Sequence, residues 1–348
     1  MKWKIYHNSL VRGISGIILF VGVPGFIFLA LWLFFGWLTG TIGAICAFLI
    51  AAYGLLIGWR NIKVKTVMCT SSLLPEAFEG YRILQLSDIH IGTFLKNRSF
   101  ITKLVKLVQK QKIDLIVFTG DLVNSTAEEM IPFMRVLGKL HAPDGILSVL
   151  GNHDYCEYGC DTSEKNIHKN QKVLHYLEGK MGWKLLLNEH VLIHRPRIER
   201  DHVSDVSLSH PYGEGHTGDD AANPASTIAV VGVENICKPP FRSYGNLDQA
   251  MKGLPKGMFK ILLSHDPHLW RMEVLHHTDI ALTLSGHTHA GQLKIGHFSP
   301  IKWFYHEWGG KYTEDGSMLY VSTGIGGTMP FRLGAAPEIP IIELHRSV

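Results

Sequence analysis

The distribution of apolar and polar positions divides the chain in two. From Gly13 to Trp59 run 47 residues without one Asp, Glu, Lys, Arg or His. At about 1.5 Å per helical residue that run reaches roughly 70 Å, about twice the hydrocarbon thickness of a bilayer, and so predicts two membrane spans joined by a turn. The spans are placed at Ile14 to Phe35 and Thr41 to Trp59. Gly36 to Gly40 forms the turn, and Pro24-Gly25 is a kink of the kind membrane helices tolerate. A cleaved signal peptide has an apolar core of only about 7 to 15 residues, so the segment is expected to be retained. Beyond residue 80 the pattern becomes short apolar runs that end at Gly, Asp or Asn: Tyr81 to Leu86, Leu115 to Phe118, Ile146 to Leu150, Ile228 to Val233, Lys260 to Leu263, Ile280 to Leu284 and Met318 to Val321. These read as buried strands. Between the first two, Arg98 to Gln111 alternates Ile101, Leu104, Val105 and Val108 with Lys103, Lys106 and Lys110, which predicts a crossover helix with a solvated lysine face. The alternation gives an α/β domain, in which ligands gather outside the carboxyl ends of strands.

Length and charge refine this division. A chain of 348 residues accommodates one large domain and an appendage. The expected bounds are a hairpin with basic flanks at 1–65, a linker at 66–79 and the domain at 80–348. Six of the 34 Lys/Arg (Lys2, Lys4, Arg12, Arg60, Lys63 and Lys65) lie in the flanks, where there is no acidic residue. The remaining 28 face 30 Asp/Glu, so the domain is slightly acidic and lacks the basic footprint of a nucleic-acid binder. Basic flanks at both outer ends and an uncharged turn place both ends in the cytoplasm, making a multi-pass protein of the cytoplasmic membrane whose domain faces inward; the competing arrangement is one kinked span with the domain outside. Five cysteines, an odd number, suit a reducing compartment, and Cys156 and Cys160 read as ordinary thiols. The polar stretch 195–227 carries His202, His210 and His216, but the spacing is loose and it is expected to be a mobile surface insertion. Nothing in the sequence sets the oligomeric state.

Chemistry concentrates at the ends of the predicted strands: Asp88-Ile89-His90, Gly120-Asp121, Gly151-Asn152-His153-Asp154, Ser264-His265-Asp266 and Gly286-His287-Thr288-His289. Singly, each has an ordinary reading as a turn, a cap or a core histidine. Five successive strand ends carrying carboxylate, amide and imidazole donors together point to a metal site. With no thiolate in the set, borderline divalent ions such as Mn, Fe, Zn, Co or Ni fit best.

This ordered set resembles the calcineurin-like metallophosphoesterase family over about residues 80 to 345. The resemblance implies a four-layer αββα sandwich, two mixed sheets flanked by helices, with a dinuclear centre at the strand ends. One ion would be held by Asp88, His90, Asp121 and His289, the other by Asp121, Asn152, His265 and His287, with Asp121 bridging. His153 resembles the family's catalytic histidine, and Asp154 is expected to hold its tautomer. Two such ions activate a water and polarise phosphoryl oxygens, so no protein nucleophile is needed. Leu86-Ser87-Asp88-Ile89-His90, the block from Ser285 to Gln292, Ser322-Thr323-Gly324 and Phe331-Arg332-Leu333-Gly334 are closest to the membrane-tethered bacterial phosphodiesterases, a group that includes a type of UDP-2,3-diacylglucosamine hydrolase. Ala290 stands where glycine is commoner.

A lipid or lipid-linked phosphate substrate explains the anchor, and the bilayer is the expected partner. The competing functions are a broad phosphodiesterase or phosphatase on soluble substrates and a membrane-anchored metal-binding sensor without turnover. Phe298 to Trp308 holds five aromatics in eleven residues just beyond the last predicted ligand. Trp303, Phe304 and Trp308 are candidates for acyl-chain contact, with Lys302 and Lys311 near phosphates, and Arg332 is a further candidate substrate contact.

Overall fold

The computed structural model describes residue 14 and residues 17–156, 158, 161, 163–195, 225–236 and 243–347. A π turn over Ile18–Gly22 leads into α1 (Val23–Phe35), and α2 (Trp37–Leu56) runs on through a 3-10 turn to Arg60. The reversal needs one residue rather than the five expected. Gly36 alone, at φ +90°, turns the chain, and the Thr39 and Thr41 hydroxyls donate to the Gly36 and Trp37 carbonyls and draw those residues into α2. The two helices fold back on each other: Phe20 meets Phe48 edge to face at 5.5 Å, and a Cβ at Gly40 would sit 2.8 Å from the Phe28 carbonyl oxygen. With their flanking turns, as Ile18–Phe35 and Trp37–Arg60, both are long and apolar enough to cross a membrane, and most of their large side chains are exposed.

The domain is built on β1 (Lys63–Ser71), β2 (Arg82–Leu86), β3 (Leu115–Thr119), β4 (Ile146–Val149), β5 (Lys184–Leu185), β6 (Glu189–His194), β7 (Thr227–Gly232), β8 (Lys260–Leu263), β9 (Leu282–Ser285), β10 (Gly310–Glu314), β11 (Ser317–Val321) and β12 (Glu338–Arg346). They form two six-stranded mixed sheets of order β1-β12-β2-β3-β4-β5 and β10-β11-β9-β8-β7-β6. Alternation along each strand separates the layers. Ile83, Val117, Val230, Ile261 and Leu284 fill the space between the sheets. Leu84, Leu86, Ile116 and Phe118 point the other way, onto α3 (Arg98–Gln109), the short α4 (Met134–Leu137) and α5 (Glu164–Lys180), while Leu262 and Val231 meet α6 (Leu247–Met251) and Trp270 on the far side. This is the four-layer αββα arrangement. In α3, Phe100, Ile101, Leu104, Val105 and Val108 are buried, which bears out the crossover helix.

Residues 66–79 do not behave as a linker. Most of β1 lies there, paired in parallel with β12 from Lys63↔Glu338 to Ser71↔Arg346. In this strand only Cys69 is fully buried, so it carries almost none of the apolar alternation that marks an inner strand. The base of the hairpin is also seated on the domain. Trp59 packs on Phe94 and Phe100 at 5.8 and 5.1 Å, Lys103 Nζ donates to the Arg60 carbonyl at 3.1 Å, and the Arg332 N–H donates to the Gly54 carbonyl at 3.1 Å. Of the expected insertion, residues 196–224 lie outside the described residues, as does Cys160; the segment connects the antiparallel pair β6 and β7, which meet at His194↔Thr227. Cys156 is buried, with its thiol on the Ser125 carbonyl.

Candidate metal centre

Five strand ends from both sheets deliver the side chains anticipated from the sequence: β2 carries Asp88 and His90, β3 Asp121, β4 Asn152 and His153, β8 His265, and β9 His287 and His289. Cross-sheet hydrogen bonds set the approach. Gln85 Nε2 donates to the Ser285 carbonyl at 2.9 Å, and His265 Nδ1 donates to the Thr119 carbonyl at 2.7 Å, which leaves His265 Nε2 directed at Asp121 and Asn152. Two glycines make the approach possible. A Cβ at Gly286 would overlap Ser87 Oγ and Asp88 Oδ2, and one at Gly120, whose φ is +88°, would sit 2.8 Å from His265 Nδ1. Asp88, His90, Asp121, His287 and His289 themselves hold positive φ between 48° and 72°. Such backbone costs energy in non-glycine residues and collects at functional sites.

The donors fall into two groups. Asp88, His90, Asp121 and His289 form one, and Asp121, His265 and His287 the other; within each group the potential ligand atoms lie within 4.8 Å of one another, and Asp121 belongs to both. His90 Nε2 is 3.2 Å from His289 Nε2 and 3.4 Å from Asp121 Oδ2, and His289 Nε2 is 3.6 Å from Asp88 Oδ1. In the second group His265 Nε2 lies 3.3 Å from Asp121 Oδ2, 3.1 Å from Asn152 Oδ1 and 3.1 Å from His287 Nδ1. Burial lowers His90 to about 3 and His287 to about 4 and holds His289 well below the ordinary histidine value, so these rings stay neutral with a lone pair to offer. Burial pushes Asp88 up to about 6. For His265 burial opposes charge, but Asp121 alongside wins and raises it to about 10. Burial likewise pushes Asp121 up, and His265 outweighs it and holds that carboxyl well below the usual range. Imidazole nitrogens and carboxylate oxygens thus converge on two points, the donor set that borderline divalent cations take. A divalent cation in each group fits, at the cost of displacing the His265 proton.

Other side chains brace the donors. His287 Nε2 meets the Tyr305 hydroxyl at 2.7 Å, and Asn152 Nδ2 donates to the Tyr158 hydroxyl at 2.6 Å, which turns Asn152 Oδ1 toward His265. Neither tyrosine was legible in advance, since Tyr305 lay hidden in an aromatic run and Tyr158 beside the cysteines. His153 stacks on Tyr158 with ring centroids 3.9 Å apart and stands edge-on to His90 at 4.6 Å.

Three expectations are corrected. Asp154 does not hold the His153 ring: its carboxylate accepts the backbone N–H groups of Asp121, Leu122, Val123 and Gly151 at 2.8 to 3.1 Å, and His153 Nδ1 bonds instead to the Asn124 carbonyl at 2.7 Å. Adjacent residues diverge, so Asp154 faces into the loop and fixes its course. Arg332 is not at a surface open to substrate. It is 1% exposed, Nη1 donates to the carbonyls of His289, Thr323 and Ala335, and Nη2 lies 3.3 Å from His289 Nδ1. Of the aromatic candidates, Trp303 and Phe304 are 71% and 73% exposed, whereas Trp308 is partly buried, with its carbonyl accepting from Thr288 Oγ1. Lys311 is outside that run, its ammonium on the Met68 carbonyl.

A two-sheet sandwich whose strand ends from both sheets place histidine and carboxylate donors in two groups sharing one aspartate defines a class of metal-dependent hydrolase scaffold. The chain belongs to the calcineurin-like phosphoesterase family, whose model matches residues 81–291. It is 29% identical to the uncharacterized metallophosphoesterase YkuE of Bacillus subtilis, covering 88% of this chain and 96% of that protein. It is also 29% identical to a transmembrane protein with metallophosphoesterase domain from Danio rerio, covering 86% of this chain, which spans 61% of that longer protein's length. A third relative, the UDP-2,3-diacylglucosamine pyrophosphatase LpxG of Chlamydia trachomatis, is 24% identical over 82% of this chain and 92% of its own. Membership implies phosphoester hydrolysis as the class of activity and two divalent metals as the family's usual complement. The exposed helices α1 and α2, together with transmembrane relatives, favour association with a membrane.

Proposed function

We propose that this protein is a membrane-anchored hydrolase of a phosphodiester or pyrophosphate bond, acting on a lipid or a lipid-linked nucleotide of the UDP-2,3-diacylglucosamine kind. The observation that carries the reading is the convergence of Asp88, His90, Asp121, Asn152, His265, His287 and His289 on two donor groups joined at Asp121, with His153 beside them. When bound, the two ions supply the charge that activates water and polarises the phosphoryl group. The chain's own residues set everything else. Asp121 draws both groups together, and the Thr119 carbonyl, Tyr305 and Tyr158 fix His265, His287 and Asn152. The Asn124 carbonyl holds the His153 Nδ1 proton, so His153 Nε2 is the atom that contacts the phosphate or passes a proton to the leaving oxygen.

The lipid part of the reading is supported by the apolar hairpin and by the relative named as a diacylglucosamine pyrophosphatase. The basic flanks favour a double crossing of the cytoplasmic membrane with the domain inside. The test is turnover by purified full-length protein of a diacyl sugar nucleotide, bis-p-nitrophenyl phosphate and p-nitrophenyl phosphate side by side, with metal analysis of the same sample. Two ions per chain and preference for the diacyl substrate are expected. Metal binding without turnover of any of the three would support the sensor, and preference for the small esters a soluble substrate.

A further inference from the structure

The segment between β9 and β10 combines a firmly tied backbone with apolar side chains left in the open. Leu293 bridges Leu333, Lys294 N–H donates to the Leu333 carbonyl at 2.8 Å, and Ile295 and Phe298 exchange backbone hydrogen bonds at 2.8 and 3.0 Å around a turn at Gly296. A 3-10 turn, Pro300–Trp303, follows, pinned by Ser299 Oγ donating to the Ala290 carbonyl at 2.8 Å. The backbone of this finger is therefore well tied. Its side chains are not covered: Ile295 is 69% exposed, Phe298 38%, Trp303 71% and Phe304 73%. No acidic residue occurs from Ile280 to His306, while Lys302 Nζ lies 4.7 Å from the Phe298 ring centre.

The position of the finger supplies its occupant. Leu333, which holds it, follows Arg332, whose N–H donates to the Gly54 carbonyl of α2; the Phe331 ring fills the space where a Gly54 side chain would stand, and the Arg332 carbonyl does the same at Gly58. Gly54 lies within the uncharged run, six residues before Arg60 and so roughly 9 Å down the helix from the first charge. A segment of the domain thus reaches the depth at which the apolar run meets the headgroups, and the finger is the next piece of chain beside it. Exposed Trp and Phe with a nearby Lys and no acidic residue are what an anionic, amphipathic interface selects.

We infer that Ile295, Phe298, Trp303 and Phe304 form a second contact with the bilayer crossed by α1 and α2, which holds the metal centre at headgroup level. The inference rests on the membrane-anchored reading above and deepens it. Phe304 is followed directly by Tyr305, whose hydroxyl touches His287, and Arg332 touches His289, so one side chain separates each membrane-facing segment from a donor of the centre.

The test uses full-length protein in nanodiscs of mixed phosphatidylcholine and anionic phosphatidylglycerol, with a solvatochromic amino acid incorporated in place of Phe304, in a second protein in place of Ile295, and in a control in place of Tyr176, which is 62% exposed on α5. Two positions are used so that failure of one variant to fold leaves the other to decide. Without any substrate, blue-shifted emission and strong quenching by nitroxide-labelled lipid are expected at 304 and 295, and neither at 176. Emission and quenching at 304 and 295 equal to the control would overturn the inference. A blue shift without lipid quenching would also overturn it, because protein then covers the finger, as would quenching that begins only on adding a diacyl substrate. The readout does not depend on turnover, so a catalytically inactive protein with a quenched finger would count against the hydrolase and leave the docking intact.

Discussion

The metal centre and the aromatic finger break the same rule in opposite directions. At the centre Asp88, His90 and His265 are fully buried, where desolvation penalises charge; in the finger Trp303 and Phe304 are more than two-thirds exposed, where water penalises apolar surface. On the proposed reading each inversion has a partner of matching chemistry, cations for the first and a bilayer for the second. The backbones differ as well. The centre holds five donors in left-handed conformation, fixed by bonds such as that from the His287 N–H to Asp88 at 3.1 Å, whereas from Leu293 to Phe304 only Gly296 has a positive φ. The first should therefore fail on small changes and the second only on changes of polarity.

The most severe test of the centre is Asp121→Asn, which keeps shape and removes the charge shared by both groups. Turnover of any substrate is expected to fall by more than about 100-fold and bound metal to drop below two ions per chain. A near-normal rate with two ions would break the shared-aspartate account. His153→Ala separates holding from chemistry: a loss of about 10²- to 10⁴-fold in rate with both ions retained is expected, read by kinetics beside elemental analysis. The finger is tested by Trp303→Ser combined with Phe304→Ser. Turnover of a diacyl substrate in bilayers should fall several-fold, with the small chromogenic diester unchanged, since both rings stand mostly in the open. Equal losses on both substrates would erase the contrast between the two regions.

The smallest effect concerns stability. Burial pushes Glu178, which accepts from the Ser148 hydroxyl, up from 4.5 to about 8. A raised carboxyl pKa means that its contribution is fully present below about 4.5 and is lost as pH rises through about 8. Glu178→Gln keeps a neutral hydrogen-bonding group, so its thermal midpoint should match that of the parent at pH 4.5 and exceed it at pH 9. Parallel melting curves at both pH values would show that Glu178 does not carry the shift.

The anticipated ligand set lay in five short blocks, each a strand end followed by donors within a few residues, and all seven residues are brought together. Local sequence determined this because a strand, a glycine turn and an adjacent donor are specified within about five positions. The apolar hairpin was legible for the same reason, being a matter of composition along one stretch. Its turn was not, because Gly36 reverses the chain alone and the neighbouring threonines join α2.

What only the tertiary structure decided depends on partners far away in the chain. The edge strand β1 gains its place from β12, more than 270 residues later, and its own pattern carries no sign of burial. The resemblance assigns Asp154 to the His153 tautomer, yet four N–H groups released where β3 and β4 end claim its carboxylate first. Arg332 reads as a surface cation in any sequence, but carbonyls from three separate turns enclose it under His289. Tyr305 is one aromatic among five until the fold lays its hydroxyl on His287. Donor identity and order are short-range properties that the sequence holds by itself; the tautomer of an imidazole, the burial of a cation and the seat of the hairpin on the domain are set by groups that meet only when both sheets close around the centre.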